Sequence, residues 1–419
     1  MRYGKSLELF KEQLKLIPGG SQTNSKRPSA FAFGAYPIFV RKAWGCRVED
    51  VDGNTYIDFV NGCGPIVLGY RYPAVDEAIR EQLDRGIIAG LLYPVETEAA
   101  RLLCEMAPCA EMVRFLKGGG EATAAAARIA RAHTGREIIL NCGYRGWPDV
   151  WIAANKARGV PQCLASLTVS FPFNDLGAVE ELLIARKGKV AAVFVHVLDV
   201  APNEGYLQGL RDLAHAHGAV FVIDEVITGF RLANGGAQEY YGVVPDLACF
   251  AKAMANGMPV AAVAGRADLM RLVPELAITV TYGGEALSLA AAAATMREIR
   301  DKKVTEYLWR IGARLMESLN KLGAESGLPM RCEGLAPISR IVFGDLSPDE
   351  QNLVQRYFLQ EMAERGVLFR RGGMNALTFS HSEADIDEVL TRTSDVLKKL
   401  KPLWKTSALA GKLRSTAGY

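Results

Sequence analysis

The sequence predicts an α/β protein with a central, mostly parallel sheet in a large domain, and a smaller α+β domain built from both chain ends. From about Pro73 to Ile223, helical patterns alternate with short apolar runs, which is typical of a parallel sheet covered by helices on both faces. Past about Lys302, long helical patterns dominate and strand candidates are few. The contrast between these two regions indicates two domains.

The first sixty residues are expected to form a helix followed by a small antiparallel meander. Near the start of the chain, Leu7, Phe10 and Leu14 recur on one helical face among charged residues. An extended stretch follows, and its Asp52-Gly53 pair is flanked by alternating residues, the pattern of a hairpin turn. We expect this meander to pack with the C-terminal part of the chain.

These patterns set the predicted domain borders. Residues 1–65 are the N-terminal part of the small domain, 66–302 the large domain, and 303–419 the C-terminal α+β part. In the large domain, strands are predicted over 112–115, 138–141, 190–197 and 219–223, and helices over 77–85, 97–106, 121–133 and 205–217. In the C-terminal part, helices are predicted over 305–322, 348–365 and 383–397, and strands over 338–343 and 376–380.

Composition argues against several classes of protein. The chain has 419 residues, and 49 Lys and Arg against 46 Asp and Glu leave a net charge of +3, too small to favour nucleic-acid binding over a small neutral or anionic ligand. The eight cysteines include no C-x-x-C pair and the five histidines have no metal-binding spacing, so no metal is expected. No signal peptide or membrane-spanning run of ~20 residues is evident, so we expect a soluble, cytoplasmic protein.

The sharpest local pattern is a buried strand that ends in two carboxylates, Asp224 and Glu225. In open parallel sheets, ligands bind at the carboxyl edge of the strands. A carboxylate at that edge is desolvated, so a cation or a strong donor should lie beside it. The alternative is a capping or salt-bridging Asp with no role in chemistry.

A second apolar run ends in Lys252, 28 residues after Asp224, and then loops through a glycine. That separation allows a helix and a return strand, so both groups could lie at the same edge of the sheet. Apolar surroundings lower the pKa of an amine, as a lysine that forms a Schiff base requires. The alternative is a lysine whose amine extends to solvent.

Three glycines, Gly118 to Gly120, lead from a predicted strand into an alanine-rich helix. Such a turn lets backbone N–H groups and the helix dipole converge on an anion. The dinucleotide and P-loop patterns are both absent from this stretch, so a single phosphate on a small cofactor fits better. The alternative is a flexible turn without a ligand.

An aromatic loop, 141–147, follows another predicted strand and contains Tyr144 and Arg145. A tyrosine there can stack on a flat heteroaromatic ring, while the arginine can donate two parallel hydrogen bonds to a carboxylate or phosphate. By itself, a packed surface loop is the simpler interpretation.

In chain order, the glycine turn, the aromatic loop, Asp224 and Lys252 describe a pyridoxal-phosphate site. The chain resembles the class III (fold type I) aminotransferases, most nearly the glutamate-1-semialdehyde 2,1-aminomutase branch. The most specific match is the stretch 224–231 followed by Lys252 at the family's interval. The resemblance covers nearly the whole length, and further matches are Ile17-Pro18-Gly19-Gly20, Thr134-Gly135-Arg136 and Asp385-Ile386-Asp387.

The resemblance implies a role for each matching residue. Lys252 would form the Schiff base with pyridoxal phosphate and shuttle a proton, and Asp224 would pair with the pyridinium nitrogen. Tyr144 would stack on the ring, while Gly119 and Gly120 would bind the phosphate. Further positions assigned to the cofactor are Asn203 near its phenolic oxygen, Val226, and Thr281, which reaches the phosphate from the neighbouring subunit and so implies a homodimer.

The sequence departs from the family at the site itself. Gly118-Gly119-Gly120 stand where the family usually has Ser-Gly-Thr, and Arg145 replaces a His. Because a guanidinium fork suits an anionic substrate, Arg27, Arg145 and Arg371 are the candidates for substrate binding.

The resulting hypothesis is an aminotransferase that moves an amino group from an amino donor to a small carbonyl acceptor, through the Lys252 aldimine and pyridoxamine phosphate. The first alternative is an intramolecular aminomutase of the glutamate-1-semialdehyde type, or an amino-acid epimerase. The second is a cofactor-binding protein with little catalysis.

Overall fold

The computed structural model describes residues 2–153, 157–198 and 200–414. Its α-helices, in chain order, are α1 (Gly4–Leu16), α2 (Pro73–Arg85), α3 (Pro94–Met106), α4 (Gly119–Thr134), α5 (Asp149–Ile152), α6 (Leu176–Ala185), α7 (Tyr206–Ala216), α8 (Ala237–Tyr240), α9 (Ala267–Met270), α10 (Ala286–Asp301), α11 (Val304–Ser326), α12 (Pro348–Glu364), α13 (Glu383–Leu400) and α14 (Ala408–Gly411). Within the described ranges, no helix combines the length and apolar character that a membrane span needs.

The strands, in chain order, are β1 (Val40–Trp44), β2 (Arg47–Asp50), β3 (Thr55–Asp58), β4 (Met112–Leu116), β5 (Ile138–Cys142), β6 (Thr168–Ser170), β7 (Val190–His196), β8 (Val220–Asp224), β9 (Leu247–Phe250), β10 (Ala261–Gly265), β11 (Met330–Leu335), β12 (Ile338–Phe343), β13 (Val367–Leu368) and β14 (Asn375–Ala376).

The chain folds into two compact units, Met1–Tyr72 with Glu306–Tyr419, and Pro73–Thr305. The sequence placed the corresponding borders after residues 65 and 302, so both lie a few residues later than predicted. The first border moves because Gly45 and Tyr70 exchange backbone hydrogen bonds of 2.9 and 2.7 Å. These two bonds attach the segment just before α2 to the first unit.

The second unit contains a seven-stranded sheet in the order β4-β10-β9-β8-β7-β5-β6. Strand β10 runs antiparallel to both of its neighbours, and the pairings among β9, β8, β7, β5 and β6 are parallel. The predicted mostly parallel sheet is therefore confirmed. Every residue of β8 and β9 is buried, as expected for strands covered on both faces.

The parallel strands bring their carboxyl ends to one edge of this sheet. In the register, His196 at the end of β7 lies opposite Asp224 at the end of β8. Asp224 in turn lies opposite Cys249 of β9. Residues that directly follow these strands are therefore close together, although they are far apart in the sequence.

The first unit holds two small sheets, in the orders β1-β2-β3-β13 and β11-β12-β14. The predicted hairpin is confirmed, because β2 and β3 pair antiparallel and Gly53 in their turn has a positive φ of 90°. Strand β13 pairs parallel with β3, which joins the two chain ends.

The predicted strand over 376–380 is wrong beyond Ala376. The backbone N–H of Leu377 bonds to Pro337 and that of Phe379 bonds to Val67, so this segment is held by loops instead of by a neighbouring strand. The sequence pattern also missed β10, because its residues, mostly alanine and glycine, are poor strand formers on their own.

Candidate active site

A cavity of roughly 610 Å³, its open mouth included, lies at the carboxyl edge of the parallel strands. Its walls come from segments that directly follow a strand, the location at which ligands bind in open α/β sheets. The lining residues are Gly119, Gly120, Thr123, Tyr144, Arg145, Gly146, His196, Val197, Leu198, Asp224, Val226, Ile227, Thr228 and Lys252.

Most of the sequence-predicted cofactor residues meet in this one cavity, namely Gly119, Gly120, Tyr144, Asp224, Val226 and Lys252. Two do not line it. Asn203 is exposed and its backbone N–H bonds the side chain of Asn174 at 2.9 Å, and Thr281 is exposed in a turn before α10. Arg27 and Arg371 belong to the first compact unit.

The three glycines form the start of α4, with Gly118 as its N-cap. The side chain of Glu121 accepts the N–H of Gly118 at 3.0 Å, whereas within the described residues no acceptor bonds the N–H of Gly119 or Gly120. A Cβ at Gly119 would lie 2.9 Å from Val226. The helix thus directs two unbonded N–H groups and its positive dipole end at the cavity, an arrangement that suits a phosphate.

Lys252 lies two residues beyond β9 and begins a short 3₁₀ turn, Lys252–Ala255. Its φ is +46°, a backbone region that is strained for a lysine and is often found at functional sites. The following residues, Ala253 and Met254, are fully buried. The structure therefore brings the lysine into the cavity lined by Asp224, as the strand spacing predicted.

Asp224 ends β8 and is only 6% exposed. Its Oδ1 accepts the backbone N–H of Val226 at 2.9 Å, and its Oδ2 accepts a hydrogen bond from Nη1 of Arg145 at 2.9 Å. The cation expected beside this carboxylate is thus Arg145, whose side chain has no solvent exposure. Asp224 is therefore salt-bridged, and it also lines the cavity.

Arg145 has a different environment from the one that the sequence predicted. Its Nη2 donates to the backbone carbonyl of Cys142 at 2.7 Å, and its guanidinium carbon lies 5.9 Å from the ring centre of Phe194. Because both terminal nitrogens already bond protein groups, the structure does not support a role for Arg145 as the fork that binds the substrate anion. Its buried Nε has no acceptor among the described residues.

His196 is the site residue that the sequence analysis missed. It ends β7, lines the cavity and lies next to Asp224 in the sheet. Burial, reinforced by the charge of Arg145, lowers the pKa of His196 to about 4, so the imidazole is neutral near pH 7. A Cβ at Gly143 would lie 2.4 Å from its Nε2. The apolar run 190–197 could have identified this histidine, because it ends at the same sheet edge.

The donor set fits pyridoxal phosphate better than a metal. In the part of the chain that the structure describes, no group of three or more His, Cys, Asp or Glu side chains could hold a metal ion. The cavity instead combines unbonded helix N-terminal N–H groups, a carboxylate and a lysine. These groups match the phosphate, ring nitrogen and carbonyl of that cofactor.

Comparison with known proteins gives the same assignment. The family model described as aminotransferase class-III matches residues 30–397. The glutamate-1-semialdehyde 2,1-aminomutase of Roseiflexus castenholzii is 37% identical over 96% of this chain and 99% of its own length. That of Syntrophobacter fumaroxidans is 35% identical over 96% and 99%.

Solved structures are also similar over nearly the whole chain. The PLP internal aldimine form of the FumI protein from Sphingopyxis sp. MTA144 has a TM-score of 0.90 at 27% identity, covering 95% of this chain and 96% of that one. An omega-transaminase from Sphaerobacter thermophilus has a TM-score of 0.86 at 25% identity, covering 94% and 97%. The chain therefore belongs to the class III aminotransferases, enzymes of fold type I that use pyridoxal phosphate.

Proposed function

We propose that this enzyme shifts an amino group within one small molecule of the glutamate-1-semialdehyde type. The observation that carries the proposal is the joint placement of Lys252, Asp224 and the first N–H groups of α4 around one cavity. The names of the curated relatives support this form of the reaction, because they are 2,1-aminomutases. These names favour amino transfer within one molecule, which was the alternative, over the first hypothesis, which was transfer from an amino donor to a separate acceptor.

The proposal assigns a role to several of the residues that line the cavity. Pyridoxal phosphate, when bound, supplies a ring that withdraws electrons from the substrate carbon. The N–H groups of Gly119 and Gly120 hold its phosphate, Asp224 faces the ring nitrogen, and Val226 packs beside it. Nζ of Lys252 would hold the cofactor covalently in the resting enzyme and would carry a proton between the substrate carbon and C4′ of the cofactor.

Tyr144 is the residue proposed to cover the ring. It lines the cavity, but 71% of its surface is exposed, so a flat ring could pack against it without displacing protein. Its aromatic face would also exclude water from the reacting atoms. The roles of Asn203 near the phenolic oxygen, and of Arg27 and Arg371 toward a substrate anion, stay predictions.

Intermolecular transamination, from an amino donor to a small carbonyl acceptor, is the second candidate. It is favoured by the solved structures, because the omega-transaminase and a further transaminase with bound PLP have TM-scores of 0.86 and 0.89. In that case the same residues would act in two half-reactions, with the donor and the acceptor entering in turn.

One experiment separates the two candidates. The purified enzyme loaded with pyridoxal phosphate is mixed with glutamate-1-semialdehyde alone, or with L-glutamate alone, and amino-group products and keto acid are quantified. The proposal expects isomerisation of the semialdehyde without release of a keto acid. Release of a stoichiometric keto acid from L-glutamate, with no isomerisation, would reject the aminomutase and establish the transaminase. Isomerisation at a stereocentre only would indicate the epimerase.

We also propose a homodimer in which Thr281 completes the partner's phosphate site. Thr281 and Tyr282 are exposed, and the N–H of Ala286, just beyond this turn, bonds the carbonyl of Ile87 at 2.8 Å. Near Ile87 the chain exposes Leu91 and Leu92, the latter by 86%. Apolar surface of this kind is typical of an interface between subunits.

Light scattering tests the dimer directly. Leu92→Glu is expected to yield monomers that bind pyridoxal phosphate more weakly, because Thr281 of the partner would be lost. Leu16→Glu, at another exposed leucine, is the control and should remain dimeric. A monomeric parent protein would contradict the proposal. The cytoplasmic location also stays a proposal, with which the eight free thiols are compatible.

A further inference from the structure

The carboxylate proposed to face the cofactor ring is bonded to a buried cation. Nη1 of Arg145 lies 2.9 Å from Oδ2 of Asp224, and the two side chains are 0% and 7% exposed. The other carboxylate oxygen accepts the N–H of Val226. Each oxygen of Asp224 therefore already has one protein donor, and one of these donors carries a full positive charge.

Other titratable groups also lie around Asp224. His196 on β7 is neutral near pH 7 because its pKa is about 4, and burial raises the pKa values of the Cys142 and Cys249 thiols. Glu225 directs its carboxylate to Thr228 and to the backbone N–H groups of α8. Lys252 lines the same cavity from the end of β9. Among these groups, Arg145 donates the hydrogen bond of 2.9 Å to Oδ2 of Asp224.

A lone carboxylate beside a pyridine nitrogen favours the protonated ring, because opposite charges attract. A guanidinium bonded to the same carboxylate opposes that attraction, since the proton and the arginine both carry positive charge. Because both side chains are almost completely buried, water screens this opposing interaction only weakly. The strength with which the ring withdraws electrons depends on this proton.

We propose that Arg145 weakens the hold of Asp224 on the ring-nitrogen proton and thereby reduces the electron withdrawal by the cofactor. This inference rests on the proposed placement of Asp224 at the ring nitrogen. Arg145 is then a positioning residue that acts through Asp224 and tunes the cofactor, and it is not a binding group for substrate.

The test uses the holoenzyme loaded with pyridoxal phosphate labelled with ¹⁵N in the ring. The chemical shift of this nitrogen, followed against pH, reports its protonation without any substrate. In Arg145→Gln the titration midpoint should rise by about one pH unit or more, a tenfold gain in proton affinity. Arg145→Lys keeps the charge and should stay near the parent midpoint. Arg136→Gln removes an arginine that bonds carbonyls where β7 and β8 begin, and it is the matched control.

Asp224→Asn distinguishes the two ways in which the inference could fail. If the midpoint falls in Asp224→Asn but does not move in Arg145→Gln, Arg145 has only a packing role and the inference is wrong. If neither variant changes the midpoint, Asp224 does not face the ring nitrogen and both assignments fail. Should Arg145→Gln not fold, Arg145→Met provides the second neutral side chain, with the same expected rise. Turnover is not measured, so the choice between aminomutase and transaminase leaves the result unaffected.

Discussion

Two buried aspartates near opposite ends of neighbouring strands have almost the same chemistry and different surroundings. Asp224 ends β8 and Asp246 precedes β9, and they are 6% and 5% exposed. Each carboxylate accepts one hydrogen bond from a backbone N–H and one from an arginine side chain. Asp246 accepts these bonds from the N–H of Phe221 and from Nη1 of Arg266, both at 2.8 Å. Burial and an ion pair therefore do not distinguish the two carboxylates.

The cations distinguish them. The side chain of Arg266 is 47% exposed, and Asp246 also contacts the exposed His215 at 2.9 Å, whereas Arg145 is completely buried. Water can therefore solvate the partners of Asp246, which holds the start of β9 against β8. Asp224 instead shares a cavity with Lys252 and with Gly119 and Gly120 at the start of α4. An ion pair indicates a functional site only in combination with such groups.

The largest expected effect is at Lys252, the lysine that lines the cavity with Asp224. Lys252→Ala should lower kcat by roughly a thousandfold or more, because the group proposed to move the proton is removed. Steady-state turnover and circular dichroism together check this expectation. Lys321→Ala, at a 77% exposed lysine on α11, is the control and should retain parent activity. Parent-like turnover in Lys252→Ala would rule out the assigned mechanism.

Substitution of the two aspartates tests the comparison itself. Asp224→Asn should lower turnover by about a hundredfold or more, and it should cost about 3–5 kcal/mol of folding stability because Arg145 remains buried without a charged partner. Asp246→Asn should cost less stability, since water can solvate Arg266, and should leave turnover within about twofold. Urea unfolding and kinetics measure both properties. If Asp224→Asn and Asp246→Asn lost turnover equally, the two edges of the sheet would not differ in function.

A smaller effect is expected at the phosphate site. In Gly119→Ala, the new Cβ would lie 2.9 Å from Val226 and crowd the first turn of α4, so affinity for pyridoxal phosphate should fall about tenfold. At Gly118 a Cβ meets no atom within 4 Å, so Gly118→Ala is the matched control. Fluorescence titration with the cofactor compares the two variants. If the two variants bound the cofactor with equal affinity, the N-terminus of α4 would not be the phosphate site.

The effect that is smallest near neutral pH concerns the stability of the Asp224 edge in acid. The pKa of His196 is lowered to about 4 in the folded enzyme, whereas an unfolded histidine titrates near 6.5. Between these values the unfolded chain binds the extra proton, so stability falls as the pH drops from about 6.5 to 4. His196→Asn should remove about 3 kcal/mol of this dependence.

Chemical unfolding at several pH values measures that change. His133→Asn, at an exposed histidine, is the control and should keep the parent dependence. If His196→Asn showed the same fall in stability as the parent, the buried neutral imidazole would not contribute to acid sensitivity.

Most of the fold followed from local patterns because strands and helices with a buried face have a clear hydrophobic period. The strand predicted over 338–343 coincides with β12, and the strand predicted over 190–197 ends one residue beyond β7. Strand β10 was missed because its alanines and glycine acquire strand geometry from pairing with β4 and β9 on either side. The loop beyond β14 was misassigned because its partners are distant loops.

By itself, the sequence determined that Asp224 and Lys252 follow apolar strands and that glycines precede an alanine-rich helix, since all three are properties of short segments. The tertiary structure alone decided which groups meet. Arg145 pairs with a carboxylate 79 residues away, and His196 comes to lie beside it through the parallel register of β7 and β8. Strand order and register depend on the packing of the whole sheet, so no local pattern could specify the charge beside Asp224.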